Sequence, residues 1–122
     1  MKINYLLIIT AFTCIAVNIH AQSPNWLWAK GMGGTYIDAG LSVCTDAFGN
    51  VYTTGGFSLT VDFDPGPGTF NLTSPGASSD IFISKLNNAG NFIWAKAMGG
   101  SNYDAGSSLA PHASGAVFVN PK

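Results

Sequence analysis

The chain has 122 residues, with 5 Lys and 6 Asp but no Arg and no Glu, and charged residues make up only 9% of it. A formal net charge of −1 without any basic cluster argues against a nucleic-acid partner, because displacing nucleic-acid counterions takes Lys and Arg. With 15 Gly, 12% aromatics, many β-branched residues and few helix formers beyond Ala and Leu, the composition predicts an all-β chain of at most one domain.

Residues 1–21 read as a secretory signal peptide. Met1-Lys2 gives a positive start, Tyr5 to Val17 is an apolar run, and Ile19-His20-Ala21 ends on a small residue before Gln22. A membrane anchor would need about 20 apolar residues; this run is shorter and ends at Asn18 and His20. A lipoprotein reading at Cys14 is disfavoured by bulky Phe12 and Thr13 before it. The expected destination is the cell surface or the medium, with no membrane span once the leader is removed. In residues 22–122 Cys44 is then the only cysteine, so no internal disulfide can form. Its place in Leu41-Ser42-Val43-Cys44 makes it a small buried apolar residue.

Strand signals follow one another at short intervals. Asn25 to Met32 is expected as a strand buried on both sides, with Trp26 and Trp28 on one face and Leu27 and Ala29 on the other. Gly40 to Thr45 is the next, ended by Asp46-Ala47-Phe48-Gly49-Asn50, and Val51 to Thr54 follows until Gly55-Gly56 breaks it. Residues 58–79, rich in Gly, Pro, Ser and Thr, read as an elaborated hairpin or surface loop with β-like pieces at Thr60 to Phe63 and Thr69 to Leu72. Asp80 to Leu86 is a strand, Asn87-Asn88-Ala89-Gly90 a turn, and Asn91 to Ala97 a strand.

A repeat runs beneath these elements. Trp28-Ala29-Lys30 recurs as Trp94-Ala95-Lys96, Met32-Gly33-Gly34 as Met98-Gly99-Gly100, and Asp38-Ala39-Gly40 as Asp104-Ala105-Gly106, all at a shift of 66 residues. From Trp28 to Ser42, 10 of 15 positions match their partners, so coincidence is excluded for such specific residues. Beyond that the second copy keeps mainly the apolar pattern, Val117-Phe118-Val119 opposite Val51-Tyr52-Thr53. Four short strands joined by tight turns is the layout of a β-propeller blade. The expected organisation is a leader at 1–21 and a repeat region at 22–122, with one complete four-stranded unit at about 39–98 and a shortened second copy at about 99–122.

The same residues resemble a known family. Trp28-Ala29-Lys30, Gly33-Gly34, Asp38-Ala39-Gly40, Asp46 with Gly49-Asn50-Val51-Tyr52, Asp62-Phe63-Asp64-Pro65-Gly66 and Asp80-Ile81-Phe82-Ile83-Ser84-Lys85-Leu86 are similar to the repeat of bacterial secreted seven-bladed-propeller-type proteins. The resemblance covers nearly all of residues 25–119 and implies exported proteins built of four-stranded blades. It departs at Pro111-His112 and Asn120-Pro121, where the first copy has Thr45-Asp46 and Thr54-Gly55. Repeat arrays of this kind normally need about three or more units for stability, so the chain is expected either to need further blades or to associate with itself.

Candidate chemistry is sparse. Asp62 and Asp64 in Asp-Phe-Asp-Pro-Gly offer two hard oxygen ligands to Ca²⁺, although a Pro-Gly turn braced by Asp64 is the simpler reading. Asp38 and Asp104 recur before Ala-Gly, which suits a repeated turn. His112 has no partner at metal-ligand spacing, no Gly-x-Ser-x-Gly is present, and Gly31 to Gly34 is not followed by Lys-Ser/Thr. Trp26, Trp28 and Trp94 suit packing between blades better than a sugar-stacking platform. No catalytic residue, cofactor or firm metal site is expected. The expectation is a secreted or surface module that binds or scaffolds a protein or glycan, the alternative being a non-functional remnant of a longer array.

Overall fold

A computed structural model describes residues 25–76, 78–112 and 116–122; the leader expected at 1–21 lies outside the described residues. The described chain is all-β, built of antiparallel sheets, none closed into a barrel. Nine strands follow in order: β1 (Gly33–Gly34), β2 (Ala39–Thr45), β3 (Val51–Phe57), β4 (Thr60–Asp62), β5 (Asn71–Thr73), β6 (Asp80–Leu86), β7 (Phe92–Met98), β8 (Gly106–Pro111) and β9 (Val117–Pro121).

The central sheet is four-stranded in the order β2-β3-β6-β7. Its turns are closed by one local device. Asp46 N donates to Asn50 O at 3.1 Å and Asn87 N to Asn91 O at 2.8 Å. In each turn the side chain of the first residue accepts two amides: Asp46 Oδ1 those of Phe48 and Asn50, and Asn87 Oδ1 those of Ala89 and Asn91. Each turn also needs one left-handed residue, filled by Gly49 and Gly90, both at φ 77°. His112 N donates to Ala116 O at 2.8 Å, so the turn between β8 and β9 closes with the same backbone bond.

Between β3 and β6 the chain leaves the sheet to form the β4–β5 hairpin, and β1 pairs with the free edge of β4. This small sheet lies on one face of the central sheet. Phe57, Val61, Phe63, Phe82 and Ala95 form the buried cluster there, flanked by Met32, Leu72 and Phe92. Phe63 sits edge-on to Phe57 at 5.4 Å and tilted against Phe82 at 4.9 Å. The β8–β9 hairpin covers the opposite face: Leu109 N donates to Ser42 Oγ at 3.2 Å, and Gly106 leaves room for Thr54 and Ile81. Lying between these two layers, β6 is buried along most of its length, as a central strand covered on both faces must be.

Two expectations are corrected. Residues 25–32 form no strand. A strand exists only as one partner of a ladder, and this segment takes other partners than the free edges of β2 and β7: Trp28 Nε1 donates to Asn88 O in the turn before β7, and Met32 packs against the Phe57 cluster. The segment instead crosses the sheet with Trp26 89% and Leu27 86% exposed. Gly55-Gly56 does not end β3, which runs on to Phe57. Both glycines sit where other chain segments come close, Ala39 and Gly40 against Gly55, and Ser79, Asp104 and Ala105 against Gly56.

The two hairpins at the 66-residue shift carry the same pairing. Gly40↔Gly55, Ser42↔Thr54, Val43↔Thr53, Cys44↔Tyr52 and Thr45↔Val51 become Gly106↔Pro121, Ser108↔Asn120, Leu109↔Val119, Ala110↔Phe118 and Pro111↔Val117. Each register breaks at the same place, between Gly40 and Ser42 and between Gly106 and Ser108. Pro111 and Asn120-Pro121 therefore leave the register intact, since each lies at or next to a strand end, where a missing donor interrupts little.

Candidate functional site

Four polar side chains meet on the β8 side of the sheet. Antiparallel pairing puts Tyr52 opposite Lys85, and the turn after β2 brings Asp46 over both. Asp46 Oδ2 accepts from Asn50 Nδ2 at 2.8 Å and from the Tyr52 hydroxyl at 3.1 Å, with Lys85 Nζ 3.6 Å away. The ammonium also stands 4.8 Å over the Tyr52 ring, and Trp94 meets that ring edge-on at 6.2 Å. The Asn50 side-chain amide, helped by backbone amides and Tyr52, holds the Asp46 carboxyl down at about 2. Contact with Tyr52, followed by the Asp46 charge, raises Lys85 above its ordinary value. The quartet is a closed set of satisfied bonds, which brace the turn rather than leave a group free to react.

This gives a pH prediction. The folded Asp46 carboxyl lies below its ordinary value of 3.8, so its stabilising contribution is complete above that value and drains as pH falls towards about 2. Melting curves between pH 6 and 2 should fall less steeply for Asp46→Asn than for the unaltered chain. Equal slopes would remove the assigned role.

The other carboxylates hold loops. Asp62 Oδ1 accepts from Asp64 N at 3.0 Å and Phe70 N at 2.8 Å, and Asp64 Oδ1 accepts from Gly66 N at 2.8 Å. The amides of Phe70 and Asp64 lower the Asp62 carboxyl. Among the described residues no three His, Cys or Asp side chains gather as a metal-holding group. Asp38 Oδ2 accepts from Gly34 N at 2.7 Å, closing the loop between β1 and β2, whereas its counterpart Asp104 is held through its backbone amide, which donates to Ser79 O at 2.7 Å. Burial, then the nearby Asp46 charge, pushes the Cys44 thiol up, away from the thiolate a nucleophile requires. Exposed His112 lies 6.1 Å from the Phe118 ring, edge-on. Asp80 is 1% exposed and its carboxylate meets no donor among the described residues; Gly99 backs directly onto it.

The repeat positions separate into two kinds. Gly40 and Gly106 open equivalent bulges. Trp28 and Trp94 do not share a setting: Trp94 lies in β7, while Trp28 donates its Nε1–H to Asn88 O at 2.9 Å and rests beside Gly90. Lys30 and Lys96 are both exposed. Gly33-Gly34 pairs with β4, whereas Gly99-Gly100 follows the end of β7 without joining a ladder.

What the surface offers is apolar. An open cleft of about 530 Å³ is walled by Trp26, Leu27, Trp28, Val51 and the turn residues Gly49 and Asn88. Val43 is 67% exposed on one side of the layered body and Phe118 62% exposed on the other. The Asp46–Lys85 quartet had only a long-range signal in the sequence, the strand register that sets position 52 opposite 85. No protein-family model, curated protein or solved structure matches the chain.

Proposed function

We propose that this chain is an exported module of propeller-type repeat blades that works by binding or scaffolding, without a catalytic role. The observation that carries the reading is the repeated hairpin. Two segments 66 residues apart adopt one register with one bulge position, and the second stacks on the sheet that contains the first. Such stacking of unit on unit is how blades bury their faces. Binding rather than chemistry is favoured because Asp38, Asp46, Asp62 and Asp64 are engaged in turns and loops, while large apolar side chains face solvent.

The ligand surface best suited to a protein or glycan is the Trp26–Trp28 cleft, where flat aromatic faces combine with amide groups. Glycan arrays and pull-downs with the exported protein should yield a ligand whose affinity falls about tenfold or more in Trp26→Ala, the loss expected of a central aromatic contact. Silence from both assays would reject the binding role. Export is checked by N-terminal sequencing: a product beginning at Gln22 is expected, and one retaining Met1 would reject the leader.

A further inference from the structure

The two copies of the hairpin differ in what covers them. Tyr52 is 2% exposed, whereas Phe118, at the same position of the second hairpin, is 62% exposed. On the opposite face the asymmetry reverses, with Leu109 half-buried against the sheet and its counterpart Val43 67% exposed. Each end of the stack thus exposes the face that is covered in the other copy. The exposed faces also complement each other, because within the chain the Leu109 side of one hairpin already seats on the Ser42–Tyr52 side of the other. No charged side chain lies in β2, β3, β8 or β9, so no like charges oppose a second such contact.

We infer that the chain associates with itself head to tail, the Ala110–Phe118 face of one copy receiving the Val43 face of the next. The inference rests on the repeat reading above and names its partner, a second copy of this chain. The contact is heterologous, joining unlike faces, so it propagates into a ring or filament rather than stopping at a two-fold dimer. It also carries a specific register. The intrachain pair Ser42–Leu109, displaced by one repeat, becomes Ser108 of one copy against Val43 of the next.

Paired cysteines test this on the full chain with Cys44 replaced by Ala. In S42C/L109C the two positions touch within one molecule, so a disulfide should close at any concentration. In V43C/S108C the central sheet and the second hairpin stand between the two positions of one molecule. Val43 and Ser108 are both exposed, on the sides of β2 and β8 that face away from their mutual contact, and a disulfide cannot join side chains whose Cβ vectors point apart, so only a bond between molecules can form. Non-reducing gels should show a ladder of dimers and higher species for V43C/S108C. Adding Phe118→Asp, at an exposed position that the fold does not need, should abolish the ladder and return sedimentation to the monomer. A monomeric V43C/S108C beside a closed S42C/L109C would overturn head-to-tail association and leave the repeat stack standing. An open S42C/L109C would overturn both, and a ladder that survives Phe118→Asp would overturn the assigned face.

Discussion

Replacing Phe57 by alanine is expected to cost about 3–5 kcal/mol, the range for emptying a buried aromatic site. Phe57 is fully buried and stands edge-on to both Phe63 at 5.4 Å and Phe82 at 6.5 Å. It belongs to the cluster that joins the β4–β5 hairpin to the central sheet, so its loss opens a cavity between two layers that cannot easily collapse. A chain of this size is held by about 5–15 kcal/mol in all, and the variant should therefore melt much lower or fail to fold. Phe48→Ala is the control: with 82% exposure it should change stability by no more than about 0.5 kcal/mol. Urea unfolding of the two variants separates the outcomes, and equal midpoints would refute the assigned core.

Gly55→Ala should be nearly as damaging, at about 3 kcal/mol or more, for the opposite reason. The bulge between Gly40 and Ser42 folds the start of β2 over β3, and a Cβ on Gly55 would overlap the Ala39 carbonyl. Backbone cannot rotate aside as a side chain can, which places this substitution at the severe end of overpacking. Gly40→Ala tests the specificity of that claim, since its Cβ would meet only Thr53 Cγ2 at an ordinary 3.6 Å. The counterpart of Gly55 in the second hairpin is Pro121, the last residue of β9, where Lys122 N donates to the Ala105 carbonyl at 2.9 Å. Circular dichroism melts of the two alanine variants should differ widely, and matching melts would show that the Ala39 carbonyl yields.

Local chemistry explains what could be read from the sequence. The turns at 46–50 and 87–91 announce themselves because an Asx side chain and a glycine are needed within five residues, and the strands beside them are bounded accordingly. The β4–β5 pieces were legible for the same reason, lying between Gly- and Pro-rich segments. The strand expected at 25–32 was not there, although Trp28-Ala29-Lys30 matches Trp94-Ala95-Lys96 at every position. Identical residues form β7 where they pair with β6, and stay out of any ladder where Trp28 bonds the 87–90 turn and Met32 packs on the Phe57 cluster. Gly55-Gly56 misled for a related reason: their backbone freedom suggested a break, while their lack of bulk was what the neighbouring chain required. The Asp46–Tyr52–Lys85 contact was hidden because it depends on which strands neighbour each other. In the sequence Asp46 and Lys85 lie 39 positions apart.

The excursion through β4 and β5 also bears on how quickly the molecule assembles. The hairpins β2–β3, β6–β7 and β8–β9 are each closed by a turn of a few residues, and such units form in microseconds. Joining β3 to β6 is a different event, because 58–79 must be gathered in before their edges can meet. The β4–β5 hairpin, docking on Phe57 and Phe82, serves as a splint that shortens the effective loop, although each halving of loop length is worth only about 0.6 kcal/mol of closure entropy. Mutations in the β4–β5 hairpin should then slow refolding, whereas those in the β8–β9 hairpin should chiefly hasten unfolding.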